Sequence, residues 1–169
     1  LDEKSIVVLE MSSFQLYHTK YAQKSPNISI ITNITPEHLN WHKDFKDYQD
    51  SKCFIFKYQK KDDFLIINKK LKSLTSSCKS KVLYTNGDNN ENVYQIAKIL
   101  NIQKSDVDHI IKNFKGLEGR QEFVAKIQGR DFVCDTCATH PDANLYALKT
   151  FQSPILIWGG VDKGFDLKP

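Results

Sequence analysis

Two apolar runs near the start of the chain each end in a side chain that can bind a ligand. Residues 5–10 (SIVVLE) end at the carboxylate of Glu10, and residues 28–33 (ISIITN) end at the amide of Asn33. Both runs are continuous and rich in β-branched residues, which predicts buried strands. In open α/β sheets, ligands bind beyond the carboxyl ends of the strands. Glu10 and Asn33 are therefore candidate site residues, although each could simply cap a strand at the surface.

A carboxylate and two imidazoles follow the second run in the segment TPEHLNWH, residues 35–42. Glu37, His38 and His42 are expected at the same edge of the sheet as Glu10. Carboxylate and imidazole groups together can bind a divalent cation such as Mg²⁺ or Mn²⁺. The alternative is that these histidines only support the loop.

A lysine lies inside the apolar stripe of the next predicted helix, which covers about residues 44–60. At about 100° per residue, Lys52 falls near the middle of the stripe. Its ammonium group could extend to the rim of the stripe, or Lys52 could have perturbed chemistry or a covalent modification beside a site. The stripe is formed by Phe45, Tyr48, Ile55, Phe56 and Gln59.

Further polar side chains follow glycine turns or strand ends in the second half of the chain. Asp135 and Thr139, in RDFVCDTCATH, precede a predicted helix whose N-terminus could bind an anion. Lys163, in WGGVDKG, follows an apolar run and could contact a carboxylate or a phosphate. Arg120 lies beside two glycines in KGLEGR and is a possible phosphate contact.

Strand and helix patterns alternate along the first part of the chain. Residues 64–67 (FLII) and 81–84 (KVLY) predict two more strands. Residues 89–101 and 105–114 predict helices, the second with Ser105 as its N-cap. This alternation predicts βαβ units and an α/β fold with a mostly parallel sheet.

The two glycines of KGLEGR predict a domain boundary. We place one domain at residues 1–116 and a second at residues 117–169. In the second, EFVAKI and RDFVCD predict a strand pair with Gly129 in the turn. HPDANLYALKTF predicts a helix with Pro141 in its first turn, and PILIWGG predicts a buried strand.

Charge and cysteine content exclude several classes of protein. The 169 residues include 24 basic and 20 acidic side chains, a net charge of +4, without the massed basic patch of a nucleic-acid-binding protein. The densest basic cluster, KYQKK at 57–61, is typical of a solvated helix end, the alternative being a phosphate patch. No apolar run is long enough to span a membrane and no secretion signal is present, which predicts a cytoplasmic protein. Four cysteines are too few for a disulfide framework, so reduced thiols are expected. The alternative is redox or metal chemistry at the single C-x-x-C of Cys134 and Cys137.

Six segments occur in the order and roughly the spacing of the Mur ligase family: LEMSSFQL, NITPEHLNWH, YQDSK, GLEGR, CDTCAT and GGVDKG. The chain therefore resembles that family over nearly its whole length, and the first two segments resemble its D-glutamate-adding branch. The resemblance implies the later part of a central ATP-binding domain, followed by the first half of a Rossmann-like C-terminal domain. It also implies joining of D-glutamate to UDP-N-acetylmuramoyl-L-alanine through an acyl phosphate. ATP and Mg²⁺ or Mn²⁺ would be required, in the cytoplasmic peptidoglycan synthesis of a monomeric enzyme.

The resemblance also implies roles for matching positions. Glu10, His38 and a carbamylated Lys52 would be the catalytic residues and the metal ligands. Ser12 and Gln15 would face the UDP-N-acetylmuramoyl-L-alanine. The remaining assignments are Asn89, Asn92, Arg120 and Asp135 at the nucleotide, and Thr139 and Lys163 at D-glutamate.

A phosphate loop of the form G-x-x-x-x-G-K-[ST] is missing from these residues, because all seven glycines lie between Gly87 and Gly164. An internal fragment without this loop, and without the family's N-terminal uridine-binding domain, is expected to be inactive alone. Cys137 stands where the family usually has lysine, and residues 68–87 form a shorter region than the family has. The alternatives are another amide ligase of the family, such as a folylpolyglutamate synthase, or a degenerate protein that binds a nucleotide sugar without ligating it.

Overall fold

The computed structural model of the chain describes residue 2 and residues 5–161. In chain order, its elements are α1 (Ser13–Ala22), β1 (Ile28–Ile31), α2 (Phe45–Lys57), β2 (Phe64–Asn68), a 3₁₀ helix (Lys69–Thr75), β3 (Lys81–Thr85), α3 (Asn89–Ile99), α4 (Lys104–Asn113), β4 (Glu122–Ile127), β5 (Arg130–Cys134) and α5 (Pro141–Thr150). They belong to two compact units, Leu1–Lys112 and Asn113–Pro169. The division lies a few residues before the boundary that the glycines predict.

The first unit is built on a parallel sheet of three strands in the order β1, β2, β3. Phe64 of the central strand pairs with Ile28 on one side and with Lys81 on the other. Residues 65–67 in this strand are completely buried, because a parallel sheet is covered on both faces. The parallel α/β class and the three strands predicted from residue 28 onward are confirmed.

Helix α2 packs its apolar stripe against the sheet. Tyr48 and Phe56 of α2 are buried in one cluster with Ile31, Leu65 and Ile67 of the strands. Burying a side chain of this size contributes about 1.5–3 kcal/mol relative to leaving it exposed. The helix also contacts α1, so the segment that follows Glu10 is packed against the helix that carries Lys52.

One buried polar side chain, Gln59, joins the end of α2 to the amino ends of all three strands. Its Nε2 donates to the carbonyl oxygens of Phe64 at 2.8 Å and Pro26 at 2.9 Å. Its Oε1 accepts from the hydroxyl of Ser80, just before β3, at 2.7 Å. An amide is tolerated in a core when its hydrogen bonds are made in this way.

The second unit contains an antiparallel hairpin and a helix. β4 and β5 pair with Ile127 opposite Arg130 beside the turn. Gln128 and Gly129 have positive φ of 50° and 78°, as the favoured two-residue hairpin turn requires. α5 begins at Pro141, whose missing N–H is harmless in a first turn. The hairpin, its glycine turn and the helix confirm the sequence predictions.

Two apolar runs that predict buried strands are not strands in the structure. Residues 5–10 and 154–160 are irregular, and Val8 and Ile157 are 89% and 94% exposed. A strand needs a hydrogen-bonded neighbour as well as an apolar sequence, and neither run has one among the residues that the structure describes. Both strand predictions are wrong for this reason.

Two helix details also differ from the predictions. α1 was not predicted at all, because the hydroxyl and amide side chains of its first turn conceal a helical start. α4 begins at Lys104, so Ser105 lies within the first turn and is not the N-cap.

Candidate functional site

The residues predicted to face a UDP-sugar form the N-terminal cap of α1. The Ser12 hydroxyl accepts a hydrogen bond from Gln15 N at 3.3 Å, and Gln15 Oε1 accepts one from Ser12 N at 2.8 Å. This capping box satisfies two backbone donors at once. Its spacing, S-x-x-Q, is the sequence signal that could have revealed the helix.

His42 is buried between α1 and α2 and supports both helices. Its Nδ1 lies 3.2 Å from Asp47 Oδ2, and its Nε2 lies 2.9 Å from Ser13 Oγ. Because an ionised carboxylate can only accept, Nδ1 donates to Asp47, and Nε2 shares a hydrogen bond with the Ser13 hydroxyl. Neither nitrogen is left for a metal ion. Of the two histidines in TPEHLNWH, only His38 remains a candidate ligand.

Ser13, His42 and Asp47 are the residue types of a hydrolytic triad, but burial prevents that chemistry. Ser13 is the first residue of α1 and is 1% exposed, whereas a nucleophile must reach its substrate. The hydrogen bond from His42, assisted by the backbone N–H of Lys43, lowers the pKa of the Asp47 carboxyl below its usual value. The three side chains therefore connect the segments that carry Glu10, His38 and Lys52, a role that sequence spacing did not reveal.

His38 lies in the same loop and contacts the aromatic side chains of both helices. Its ring meets Phe14 edge to face, with 4.9 Å between centroids, and lies 6.3 Å from the ring of Tyr48. His38 has a positive φ of 57°, which is uncommon for a residue with a side chain. Its Nε2 lies 3.8 Å from Glu37 Oε2. The loop thus holds an imidazole and a carboxylate side by side.

Lys52 lies on α2 with its ammonium nitrogen 5.8 Å from the centroid of the Tyr48 ring. Burial lowers the pKa of Lys52 below its usual value, while the carboxylates of Glu37 and Glu10 raise it in part. Two carboxylates from separate segments therefore act on one half-buried lysine. Glu10 and Glu37 are thus the carboxylates whose charge acts on Lys52, and Glu37 is also the neighbour of His38.

This group of side chains suits a hard divalent cation if the charge of Lys52 is reversed. As an ammonium group, Lys52 is itself the cation that interacts with the charges of the two carboxylates. As a carbamate, it would provide the anionic oxygen atoms that Mg²⁺ and Mn²⁺ prefer. Within the described ranges, no three His, Cys, Asp or Glu side chains lie close enough to hold a metal ion by themselves. The donor chemistry therefore fits the cation only with a modified Lys52.

A second candidate site lies where β3 leads into α3. Asn92 is 4% exposed, and its Oδ1 accepts from Thr85 Oγ1 at 2.9 Å. Its Nδ2 is buried and has no hydrogen-bond partner among the described residues. Leaving such a donor unpaired costs about 1–3 kcal/mol, so its presence fits a ligand that accepts the missing bond. Asn89, also predicted at a nucleotide, is the exposed first residue of the same helix.

The turn between β3 and α3 is held closely against β2. Gly87 has a φ of 89°, and a Cβ placed on it would lie 2.3 Å from Asn68 Nδ2. Asp88 caps α3 by accepting from Glu91 N at 2.9 Å, and Glu91 Oε2 accepts from Asn86 N at 2.7 Å. The ends of β2 and β3 and the start of α3 thus form one edge, where the helix N-terminus favours an anionic ligand.

In the second unit, two predicted nucleotide contacts belong to adjoining segments. Asp135 Oδ1 accepts from Gln121 N at 3.2 Å, which holds Asp135 beside the residue that follows Arg120. The Arg120 side chain is exposed, and so is Thr139 before α5. Lys163 lies outside the described residues.

Cys137, at the position where the resemblance implies a lysine, packs on the turn that contains Gly119. Cys137 N donates to Gly119 O at 2.9 Å. Gly119 has a φ of 67°, and a Cβ there would lie 3.1 Å from Cys137 Sγ and 2.9 Å from Thr136 Oγ1. The backbone of Cys137 is therefore bonded to this turn, and its thiol supplies no positive charge.

The parallel sheet and these motifs define the class of protein. The family profile described as Mur ligase middle domain matches residues 1–139. Because this match covers most of the sequence, the chain belongs to the Mur ligase family. No helix in the described part of the chain is long and apolar enough to cross a membrane.

Similar proteins carry the name UDP-N-acetylmuramoylalanine--D-glutamate ligase. The protein of that name from Listeria monocytogenes serotype 4b is 35% identical to this chain, over 94% of this chain and 43% of its own length. The protein from Aquifex aeolicus is also 35% identical, over 96% of this chain and 46% of its own length. The chain therefore spans less than half the length of these relatives. The Listeria alignment runs over 198 positions, so the relative has residues in the matched region that this chain of 169 lacks.

Proposed function

We propose that this chain is part of an ATP-dependent ligase that joins D-glutamate to UDP-N-acetylmuramoyl-L-alanine in peptidoglycan synthesis. The observation that carries the proposal is the half-buried Lys52, whose pKa is lowered by burial and raised in part by the carboxylates of Glu37 and Glu10, a perturbation typical of a functional site. The name of the similar proteins supports the choice of substrates. We place the full enzyme in the cytoplasm as a monomer, with residues 1–116 in its central domain and 117–169 in the next.

Amide formation needs an activated carboxylate, because a free carboxylate is a poor electrophile. Transfer of the γ-phosphoryl group of ATP to the carboxylate of UDP-N-acetylmuramoyl-L-alanine gives an acyl phosphate and ADP. The amine of D-glutamate attacks the acyl carbon, loses a proton, and phosphate leaves the tetrahedral intermediate. A bound Mg²⁺ or Mn²⁺ neutralises the charge on the phosphoryl oxygens.

In this proposal Lys52 carries a carbamate. Burial lowers the pKa of Lys52, which increases the fraction of neutral amine, the form that attacks carbon dioxide. An N–C bond forms, the nitrogen gives up a proton to water, and the product is an anion. This anion would hold the metal ion together with Glu10 and His38, while Glu37 lies beside His38.

The other candidate residues would bind the substrates. The Asn92 Nδ2, which has no partner in the described part of the chain, would donate to a nitrogen of the adenine ring. Gln15 uses only Oε1 in the helix cap, so its Nε2 can donate to the UDP-N-acetylmuramoyl-L-alanine beside Ser12. The remaining proposed contacts are Asn89, Arg120 and Asp135 with the nucleotide, and Thr139 and Lys163 with D-glutamate.

The test is Lys52→Ala in the full-length protein, since the 169 residues contain no phosphate loop. We expect D-glutamate incorporation to fall at least about 100-fold, because removing a group that orders the metal costs that much or more. Added short carboxylic acids should restore part of the rate by filling the place of the carbamate.

Lys57→Ala is the matched control, because Lys57 is exposed at the end of the same helix. It should leave incorporation unchanged. Full activity of Lys52→Ala, or a loss that carboxylic acids never restore, would remove the carbamate assignment.

A protein that binds the nucleotide sugar without ligating it is the second candidate. Cys137 favours it, because a thiol packed on Gly119 cannot provide the charge of a lysine beside a phosphate. The similar proteins carry the D-glutamate name, so another amide ligase such as a folylpolyglutamate synthase is set aside.

A further inference from the structure

The turn between β3 and α3 holds the only asparagine of the chain that precedes a glycine, Asn86 before Gly87. We propose that Asn86 is a site of spontaneous deamidation, in which the Gly87 backbone nitrogen attacks the side-chain amide of Asn86. The inference stands on this turn and does not depend on the proposed ligase activity.

The reaction needs water as its only co-reactant. The Gly87 nitrogen forms a bond to Asn86 Cγ and loses its proton to solvent, and the side-chain nitrogen leaves as ammonia. This closes a five-membered succinimide. Water then opens the ring at the side-chain carbonyl, which gives aspartate, or at the main-chain carbonyl, which gives isoaspartate.

The turn leaves both reacting groups available. Asn86 is exposed, and among the described residues neither its side chain nor the Gly87 N–H makes a hydrogen bond. Gly87 has no Cβ to obstruct the attack on its neighbour. Exposure, a free amide and a free attacking nitrogen therefore coincide at one position.

Other asparagines lack this combination. Asn27 Nδ2 donates to Asp63 Oδ1 at 2.8 Å, and Asn68 Oδ1 accepts from Lys70 N at 3.0 Å. Asn33 and Asn89 are exposed, but the residues after them are isoleucine and asparagine, whose side chains hinder the attacking nitrogen. Asn33 and Asn89 are therefore matched internal controls.

The product would change the edge that carries Asn92. Isoaspartate lengthens the main chain by one methylene in a turn where Gly87 already lies close to Asn68. Either product adds a carboxylate beside the Glu91 carboxylate, whose Oε2 accepts from Asn86 N. Like charges this close repel one another, so the modified turn should be less stable than the original.

The experiment incubates the 169-residue chain at mildly alkaline pH and follows its peptides by mass spectrometry. The peptide with Asn86 should show the mass increase of amide-to-acid conversion at least about tenfold faster than those with Asn33 or Asn89, a barrier difference of about 1.4 kcal/mol. Methyl transfer from S-adenosylmethionine by an isoaspartyl methyltransferase identifies the isoaspartate part. Asn86→Gln should abolish the fast conversion, because its longer side chain would need a six-membered ring.

A second incubation in urea shows how fast Asn86 deamidates in the unfolded chain, where only the sequence around it matters. Comparison with the folded chain then gives the effect of the turn on the rate. Deamidation in the folded chain at a rate similar to that of the unfolded chain supports the proposal. Reaction at Asn86 only in urea, or a folded rate equal to that of Asn33 and Asn89, overturns it, because the turn would then protect the amide. Asn86→Asp, compared with the native chain by thermal unfolding, should melt at a lower temperature if the added charge acts as proposed.

Discussion

At the scale of single residues, burial and hydrogen bonding separate the functional candidates from the structural ones. His42 looked as suitable for a metal as His38, but both of its ring nitrogens are bonded, to Ser13 and Asp47. Lys52 is half-buried, and burial lowers its pKa while the carboxylates of Glu37 and Glu10 raise it in part. The residue types of the site could be predicted from sequence. The different roles of His42 and His38 could not be predicted from sequence, because they depend on contacts between segments far apart in the chain.

Asp47 should contribute to the dependence of stability on pH. Its folded pKa is lowered, chiefly by the hydrogen bond from His42, so its contribution is fully present above the usual carboxyl pKa of about 4. That contribution is lost as the pH falls through the lower folded pKa. In Asp47→Asn, the free energy of urea unfolding should therefore fall less steeply between about pH 5 and about pH 2 than in the original chain.

Asp50→Asn is the control for this measurement, because Asp50 lies on the same helix in an exposed pair with Lys46. Such surface pairs contribute little to stability. Parallel curves for Asp47→Asn and the original chain would contradict the role given to the His42 hydrogen bond.

At the scale of elements, apolar periodicity predicted α2 and the three paired strands, because their side chains face a core made of the same elements. The runs at residues 5–10 and 154–160 have the same apolar composition, yet they form no strand and are exposed. Apolar composition shows that a segment could be buried, whereas the formation of a strand also depends on a neighbouring strand to pair with. α1 was missed for a different reason, because its capping box consists of polar residues that resemble a loop.

Replacing Gln59 tests whether its hydrogen bonds hold the three strands in register. Gln59→Leu keeps the volume but leaves the Ser80 hydroxyl and the Phe64 and Pro26 carbonyls without this partner. We expect the free energy of unfolding to fall by about 2–4 kcal/mol, the cost of more than one buried unpaired group. Urea denaturation followed by circular dichroism measures it.

Gln103→Leu is the matched control, because Gln103 is exposed before α4. Its free energy of unfolding should change by no more than about 0.5 kcal/mol. Equal effects of the two substitutions would show that the Gln59 hydrogen bonds do not align the strands.

At the scale of the whole molecule, the chain forms two compact units and spans less than half the length of its relatives. Lys52 and Asn92 belong to the first unit, whereas Arg120, Asp135 and Cys137 belong to the second. The substrate contacts proposed for these residues therefore need to be tested in the full-length protein. Whether that protein ligates or only binds depends on the charge available near the nucleotide phosphates.

Cys137→Lys in the full-length protein distinguishes the two functions. A ligase weakened by the missing charge should gain D-glutamate incorporation by roughly tenfold, because a lysine stabilises charge that develops during phosphoryl transfer. The Cys137 side chain is exposed, so the longer side chain has room. Cys137→Ser, which removes the thiol without adding charge, should show no gain. If the Cys137→Lys protein still incorporates no D-glutamate, the result would favour a protein that binds the nucleotide sugar without ligating it.

The order of residues along the chain was enough to predict the class of fold and the family, and to name most of the candidate residues. Apolar periodicity and residue types such as Glu10 and Lys52 are local properties, and the order of motifs is written directly in the chain. Three-dimensional contacts were needed to learn that His42 supports two helices and that the charge of Glu37 acts on Lys52. They were also needed to learn that the buried Asn92 Nδ2 has no hydrogen-bond partner among the described residues. Each of these depends on which side chains are in contact across the sheet and between the helices. Burial makes these contacts matter, because it makes an unpaired polar group costly and shifts the pKa of a charged one.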